Sequence, residues 1–170
     1  GLSQGAVSWG DYDRDGDLDV AIMGLSPTSG AVKALYENRD GVFVNTNQQF
    51  TSLYYGDISW VDINKDGWID LVVSGINVIP QTKLYLNMSG SYFQETEEYH
   101  LPQLGVSKMA WGDLDNDGDI DLAMAGLDAF DNHRFDIYYR EEGNRFVKET
   151  NKSSGYWPGF VNGDLKIVDF

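Results

Sequence analysis

The sequence predicts an all-β protein, built as part of a β-propeller with four-stranded antiparallel blades. Acidic loops recur at a fixed spacing, because Asp11, Asp62 and Asp113 lie 51 residues apart. Each loop lies between two short runs rich in β-branched and aromatic residues, which is the pattern of a strand. Sustained helical periodicity with capping residues is found nowhere along the chain.

The first half of each repeat contains two strands and the loop between them. Residues 7–24 (VSWGDYDRDGDLDVAIMG), 58–75 (ISWVDINKDGWIDLVVSG) and 109–126 (MAWGDLDNDGDIDLAMAG) align without a gap. In each segment a short strand enters the loop and a second one leaves it. A tryptophan recurs on the entering strand, and we expect all three to be core residues: Trp9, Trp60 and Trp111.

The second half of each repeat predicts a β-hairpin. Residues 35–43 (LYENRDGVF), 84–93 (LYLNMSGSYF) and 137–146 (IYYREEGNRF) each place a tyrosine before a glycine turn and an aromatic residue after it. Four short strands in about 50 residues are typical of a propeller blade. The predicted blades of this single propeller segment, residues 1–170, cover approximately 5–50, 56–98 and 107–150.

The tail 165–170 (LKIVDF) matches the opening of a fourth unit, which we place at 163–170. Propeller rings generally contain about four to eight blades, so three blades and one strand do not close one. A single blade cannot bury both of its faces, and neighbouring blades must therefore stack on it. We expect adjoining blades from the same longer chain or from another subunit.

Composition limits the classes of partner. The formal net charge of −15 argues against nucleic acid and anionic membranes, and no apolar run is long enough for membrane insertion. The chain has no cysteine, so disulfides and sulfur redox chemistry are excluded.

The acidic loops share the pattern D-x-[DN]-x-D-G-x-x-D. Oxygen ligands at alternate positions, with a glycine for the sharp turn, suit Ca²⁺, which takes six to eight oxygens. Side chains at positions 1, 3, 5 and 9 and the main-chain carbonyl at position 7 are the expected ligands, with about one ion per loop and three in all. They are Asp11, Asp13, Asp15, Asp17 and Asp19 in the first loop, Asp62, Asn64, Asp66, Trp68 and Asp70 in the second, and Asp113, Asp115, Asp117, Asp119 and Asp121 in the third.

Two other interpretations of these loops were compared with the calcium site. An EF-hand needs a glutamate at loop position 12 and flanking helices, whereas this chain has Ile22, Val73 or Met124 there and predicted strands on both sides. The remaining alternative is a solvated acidic turn without metal, since Asp and Gly favour turns in any case. Three loops in register favour calcium.

These loops and hairpins resemble FG-GAP repeats, also called VCBS or integrin-alpha-type repeats, over essentially the whole chain. The resemblance implies a β-propeller in which each Ca²⁺ is held between the first and second strands of a blade. The literal Phe-Gly and Gly-Ala-Pro tripeptides of the integrin version are absent. Ligand specificity of integrins is therefore not carried over.

Ligand binding is expected on the connections at the end of the blades opposite the calcium loops, because loops on a rigid scaffold commonly carry function. Aromatic side chains there could stack on sugars or anchor a protein. The candidate ligand-facing residues are Tyr54, Tyr55, Tyr99, His133, Tyr156 and Trp157. Two sequons mark possible N-glycosylation at Asn87 and Asn151.

The predicted function is a calcium-binding extracellular or cell-surface module for adhesion or recognition of a glycan or protein ligand. No Ser/His/Asp, HExxH or phosphate-loop motif is present, so we do not expect an enzyme. Two alternatives stay open. One is a structural subunit of a surface or fibrous assembly, and the other is a propeller domain, catalytic or not, of a polysaccharide-degrading enzyme.

Overall fold

The computed structural model describes residues 1–150 and 165–166, and all of the regular secondary structure within them is β-strand. Three four-stranded sheets are formed in this part of the chain, each antiparallel and each with its strands side by side in sequence order. These sheets are the expected blades, and the all-β, propeller-like architecture is confirmed. None of the described residues belongs to a helix that could span a membrane.

The bounds of the strands follow the repeats. Blade one contains β1 (Ser3–Gly10), β2 (Asp19–Ser26), β3 (Gly30–Arg39) and β4 (Val42–Asn45). Blade two contains β5 (Tyr54–Val61), β6 (Asp70–Asn77), β7 (Ile79–Asn87) and β8 (Phe93–Thr96). Blade three contains β9 (Gly105–Gly112), β10 (Asp121–Leu127), β11 (His133–Glu141) and β12 (Arg145–Lys148). Except for Leu165 and Lys166, the predicted fourth unit lies outside the described residues.

The hydrophobic core lies between the blades. Strand β6 shows why, because its residues point alternately to two clusters: Leu71 and Val73 pack toward blade one, and Val72 packs toward blade three. All three side chains are fully buried. A strand buried on both faces is expected to be apolar without alternation, and LVV follows that rule. Blade two is therefore stabilised by both of its neighbours.

Glycines where the first and second strands of a blade meet, on either strand, are required by close backbone contact. A Cβ on Gly24 would lie 2.9 Å from the Cα of Gly5, and a Cβ on Gly56 would lie 1.7 Å from the carbonyl oxygen of Ser74. At the same point the register of β1 against β2, and of β5 against β6, shifts by a bulge. The bulge brings the two backbones too close together for a side chain.

One face of blade one is apolar and exposed. Val7, Trp9, Leu18 and Phe43 are 61%, 55%, 56% and 46% exposed. Their equivalents in blade two are buried or packed against the core toward blade one, and these are Ile58, Trp60, Ile69 and Phe93. Trp60 and Trp111 pack against the core as expected. The expectation was wrong for Trp9, because no described residue covers its face of the sheet.

The antiparallel order places the acidic loops and the β3–β4-type hairpin turns at the same end of each blade. Contact between them is direct in blade one, where the amide of Asp40 donates to a carboxylate oxygen of Asp17 at 3.2 Å. The turns between the second and third strands lie at the opposite end. The two ends are therefore chemically different, one acidic and the other carrying exposed apolar side chains such as Val78 and Phe130.

Candidate metal sites

The first acidic loop joins β1 to β2 and brings three carboxylates together. Oxygen atoms of Asp11, Asp13 and Asp15 lie within 4.8 Å of one another. The loop is folded by its own side chains: the amide of Gly16 donates to Asp11 at 3.2 Å, and the amide of Asp17 donates to Asp15 at 2.9 Å. Gly16 has a φ of 98°, which a residue without Cβ adopts at no steric cost.

The third loop repeats this geometry and the second departs from it. Asp113, Asp115 and Asp117 again place their oxygens within 4.8 Å of one another. In the second loop an asparagine replaces the middle carboxylate, and the side-chain amide nitrogen of Asn64 donates to the carboxylate of Asp66 at 2.9 Å. The second loop therefore carries less negative charge, and one of its carboxylates is already hydrogen-bonded to the neighbouring side chain.

One oxygen atom in the first loop has the environment expected of a metal ligand. Oδ1 of Asp11 is buried and has no hydrogen-bond partner among the described residues. A buried carboxylate oxygen without a partner is strongly unfavourable, and a divalent cation bound to it removes that cost. Three adjacent carboxylates with such an oxygen fit Ca²⁺, which prefers hard oxygen ligands.

The ninth residue of each loop has a structural role that the spacing did not show. Asp70 is fully buried, and its two oxygens accept the amides of Ile63 at 3.0 Å and Asn87 at 2.8 Å. The same pattern joins Asp19 to the amides of Tyr12 and Asn38, and Asp121 to those of Leu114 and Arg140. This carboxylate ties the loop to the third strand. Metal binding through its remaining lone pairs stays a prediction, as does binding through the position-7 carbonyls.

Burial makes the ionised form of the ninth carboxylate costly. It raises the pKa of Asp19 to about 6 and that of Asp70 to about 6, and it also raises the pKa of Asp121, although two amides donate to each. Burial is likewise the main cause of a raised pKa at Asp13. A cation in the loop would favour the ionised forms and offset this cost.

The model of the FG-GAP-like repeat family matches residues 11–73 and again residues 62–124. The chain belongs to this family. Each match runs from one acidic loop through the next loop into the strand that follows, and the two matches begin 51 residues apart, which is the spacing of the blades. No curated protein matches the chain. The FG-GAP repeat is a non-enzymatic module, which is compatible with the prediction that the chain is not an enzyme.

Successive FG-GAP loops contact each other through positions 4 and 7. The guanidinium carbon of Arg14, at position 4 of the first loop, lies 5.2 Å from the ring centroid of Trp68, at position 7 of the second. Lys65 at position 4 of the second loop pairs with Asp119 at position 7 of the third at 2.5 Å. This pairing was not predicted from the sequence. A cation at position 4 in two consecutive loops was the available indication.

A second contact between blades overturns one predicted modification site. Asn87 is 2% exposed, and its side-chain amide nitrogen donates to the carbonyls of Tyr12 at 2.8 Å and Ile69 at 3.0 Å. An N-linked glycan on that nitrogen is incompatible with this packing, so the prediction at Asn87 was wrong. Arg140 takes the equivalent place in blade three and donates to the carbonyl of Ile63 at 2.5 Å. The other predicted sequon, at Asn151, lies outside the described residues.

Four of the candidate ligand-facing residues belong to the part of the chain that the structure describes, and they differ in exposure. Tyr54 and Tyr55 lie together at the start of β5, with ring centroids 5.7 Å apart, and the hydroxyl of Tyr55 accepts from Gln4 at 2.6 Å. His133 is exposed at the start of β11. Tyr99 is 4% exposed, so the prediction that its ring lies on an exposed ligand-binding surface was wrong. The last two candidates, Tyr156 and Trp157, lie outside the described residues.

Proposed function

We propose that the chain is a calcium-stabilised propeller module that serves extracellular adhesion or recognition, without catalytic activity of its own. The FG-GAP repeat is typical of extracellular proteins, which supports the location. The rigid stack of blades supports a binding function, because its connecting loops can differ without disturbing the core. The ligand would be a glycan or a protein on a neighbouring surface.

The observation that carries the calcium proposal is the buried, unpartnered Oδ1 of Asp11 within a group of three carboxylates. A calcium ion would satisfy that oxygen and reduce repulsion among neighbouring charges. The loops would then hold about three ions, with the second loop binding more weakly because Asn64 replaces a carboxylate. Magnesium fits less well, because it tends to keep several of its waters.

Thermal unfolding in calcium and in excess EGTA tests this proposal. A ligand at 100 times its Kd stabilises the folded state by about 2.7 kcal/mol, which raises the Tm of a domain of this size by roughly 5–10 °C. The Asp11→Asn variant should show a smaller rise in Tm on calcium binding. Asp131→Asn, in a turn at the opposite end of blade three, is the matched control and should show the full rise in Tm. An unchanged melt in EGTA would exclude calcium as a structural ligand.

Recognition is tested separately by measuring binding of the folded chain to a glycan array with calcium and with EGTA. Reproducible calcium-dependent binding would support recognition of glycans. Absence of binding by the calcium-loaded chain would rule out the glycan ligand and leave a protein ligand as the remaining form of the proposal.

A further blade is the proposed partner of the apolar face formed by Val7, Trp9, Leu18 and Phe43. Blades two and three bury the equivalent face against the preceding blade. Trp9 and Phe43 already form the edge-to-face pair, with ring centroids 5.9 Å apart, that Trp111 and Phe146 form at 5.8 Å inside an established interface. The face therefore has the composition and the side-chain arrangement of a blade–blade interface.

A further inference from the structure

A cavity of about 330 Å³ lies in blade two, beside the end of β8 and under the connection from β8 to β9. Pockets of roughly 300 Å³ and above are large enough for small ligand groups. Its lining includes Thr82 and Leu84 from β7 and Tyr99, His100 and Leu101 from the connection. Thr82 is 4% exposed, and its hydroxyl oxygen is buried without a hydrogen-bond partner among the described residues.

Blade one shows what occupies the equivalent place. Lys33 pairs with Met23 in the sheet, and Thr82 pairs with Ser74, the repeat equivalent of Met23, so Lys33 and Thr82 hold the same position. The ammonium of Lys33 donates to the carbonyl of Gln48 at 3.0 Å and to the side-chain oxygen of Gln49 at 3.1 Å. Threonine is much shorter than lysine, which leaves this volume unfilled in blade two.

The acceptors for that ammonium are retained in blade two. The connections 46–53 and 97–104 are equally long, so Tyr99 and His100 take the places of Gln48 and Gln49. Gln49 donates from its amide nitrogen to the carbonyl two residues earlier at 2.7 Å. His100 Nδ1 lies 2.7 Å from the carbonyl of Glu98, also two residues earlier. Because a carbonyl only accepts, Nδ1 is the donor in this contact, which leaves Nε2 as the acceptor of the neutral tautomer.

We propose that this cavity binds a primary ammonium group, supplied by a lysine side chain of a partner protein. The inference rests on the proposed recognition function and names its ligand. Leu84 and Leu101 would contact the methylenes, while Thr82, His100 and the Tyr99 carbonyl would accept hydrogen bonds from the ammonium. A lysine side chain fits better than an amino sugar, because a lysine of this same chain fills the equivalent space in blade one.

Charge around the cavity favours a cation. Lys83 also lines it, but its ammonium is paired with Glu95 at 2.8 Å and with Glu97 at 3.1 Å, so two carboxylates face one cation. The whole chain carries a formal charge of −15, which attracts basic partners over a distance.

The test uses n-butylammonium chloride as the probe and amide chemical shifts of the calcium-loaded chain as the readout. We expect saturable shifts at residues 82 and 99–101. Equal binding of 1-butanol, or no saturable shift with butylammonium, would overturn the ammonium site. Tighter binding of glucosamine than of butylammonium would overturn the assignment to lysine.

Matched variants are taken from blade one. Thr82→Lys should fill the cavity from within and weaken butylammonium at least about tenfold, whereas Lys33→Thr should create a second site in blade one. His100→Gln restores the acceptor of blade one and should retain binding, whereas His100→Leu should lose it. If Thr82→Lys does not fold, the two His100 variants decide. If these variants leave butylammonium binding unchanged, the cavity is refuted as the ammonium site. The recognition function would still stand if glycan binding and calcium-dependent melting persist in the same variants.

Discussion

At the scale of single residues, the acidic loops contain two kinds of carboxylate. Those at positions 1, 3 and 5 cluster at the surface or near it, and the ninth is fully buried and bonded to two amides. The spacing of the motif marks both kinds as ligands. Only the fold separates them, because the second amide partner of the ninth carboxylate comes from a strand more than fifteen residues away.

Replacement of the two kinds of carboxylate should have different consequences. Asp70→Asn leaves one backbone amide facing an NH₂ group, so we expect it to lower the free energy of unfolding by about 2 kcal/mol even in EGTA, where no ion is bound. Asp115→Asn, at an exposed position, should reduce stability in calcium and have little effect in EGTA. Urea unfolding in both buffers measures this, and equal losses for Asp115→Asn in both would contradict a ligand role.

Asp128 gives the turn between β10 and β11 a dependence on pH. Its carboxylate accepts from the side chain and the main-chain amide of Asn132, from the main-chain amide of Phe130 and from the guanidinium of Arg134. These donors lower its pKa to about 2. A depressed pKa stabilises the turn above the ordinary value, and that stability is lost as pH falls through the folded value. The expected carboxyl chemical-shift midpoint is about 2. In Asp128→Asn, chemical shifts of the turn should lose the transition centred at about pH 2, and a midpoint near 4 for Asp128 in the parent chain would contradict these contacts.

At the scale of the elements, the bulge at the start of each blade depends on paired glycines. A Cβ on Gly56 would overlap the carbonyl oxygen of Ser74, so Gly56→Ala should cost more than about 3 kcal/mol or prevent folding. Gly41→Ala is the control: its Cβ would meet no atom within 4 Å, and only its φ of 87° is unfavourable, at about 1 kcal/mol. Urea midpoints and soluble yield measure both. Similar midpoints for the two variants would disprove the close approach.

Strand positions were predictable because the repeat supplies three copies of each pattern, and apolar runs such as LVV mark strands buried on both sides. The pairing of Arg14 with Trp68 was not predictable, because it joins residues of different blades and depends on how the blades are offset. For the same reason the burial of Tyr99 and Asn87 was missed. Their aromatic and sequon patterns are local, whereas their burial depends on the neighbouring blade.

At the scale of the whole molecule, equivalent tryptophans have unequal environments. The ring of Trp60 packs with the rings of Tyr12 and Phe93, so Trp60→Ala should lower the free energy of unfolding by about 2–3 kcal/mol. Trp9→Ala should cost less than about 1 kcal/mol in this chain, since Trp9 is 55% exposed. It should, however, weaken any association through the face of blade one. Urea unfolding and sedimentation velocity test the two effects, and self-association unaffected by Trp9→Ala would argue against this face as the interface.

The contacts between successive loops all run in one direction, from position 4 of one blade to position 7 of the next. Among the described residues, blade one therefore presents Asp17 and the Trp9 face on the side away from blade two, whereas blade three presents Asn116 and a different surface on its side away from blade two. Assembly through these two sides is heterologous, head to tail, and not the self-complementary contact of a two-fold dimer. Such contacts close into a ring only when the rotation per blade divides a full turn, and otherwise they continue as an open filament.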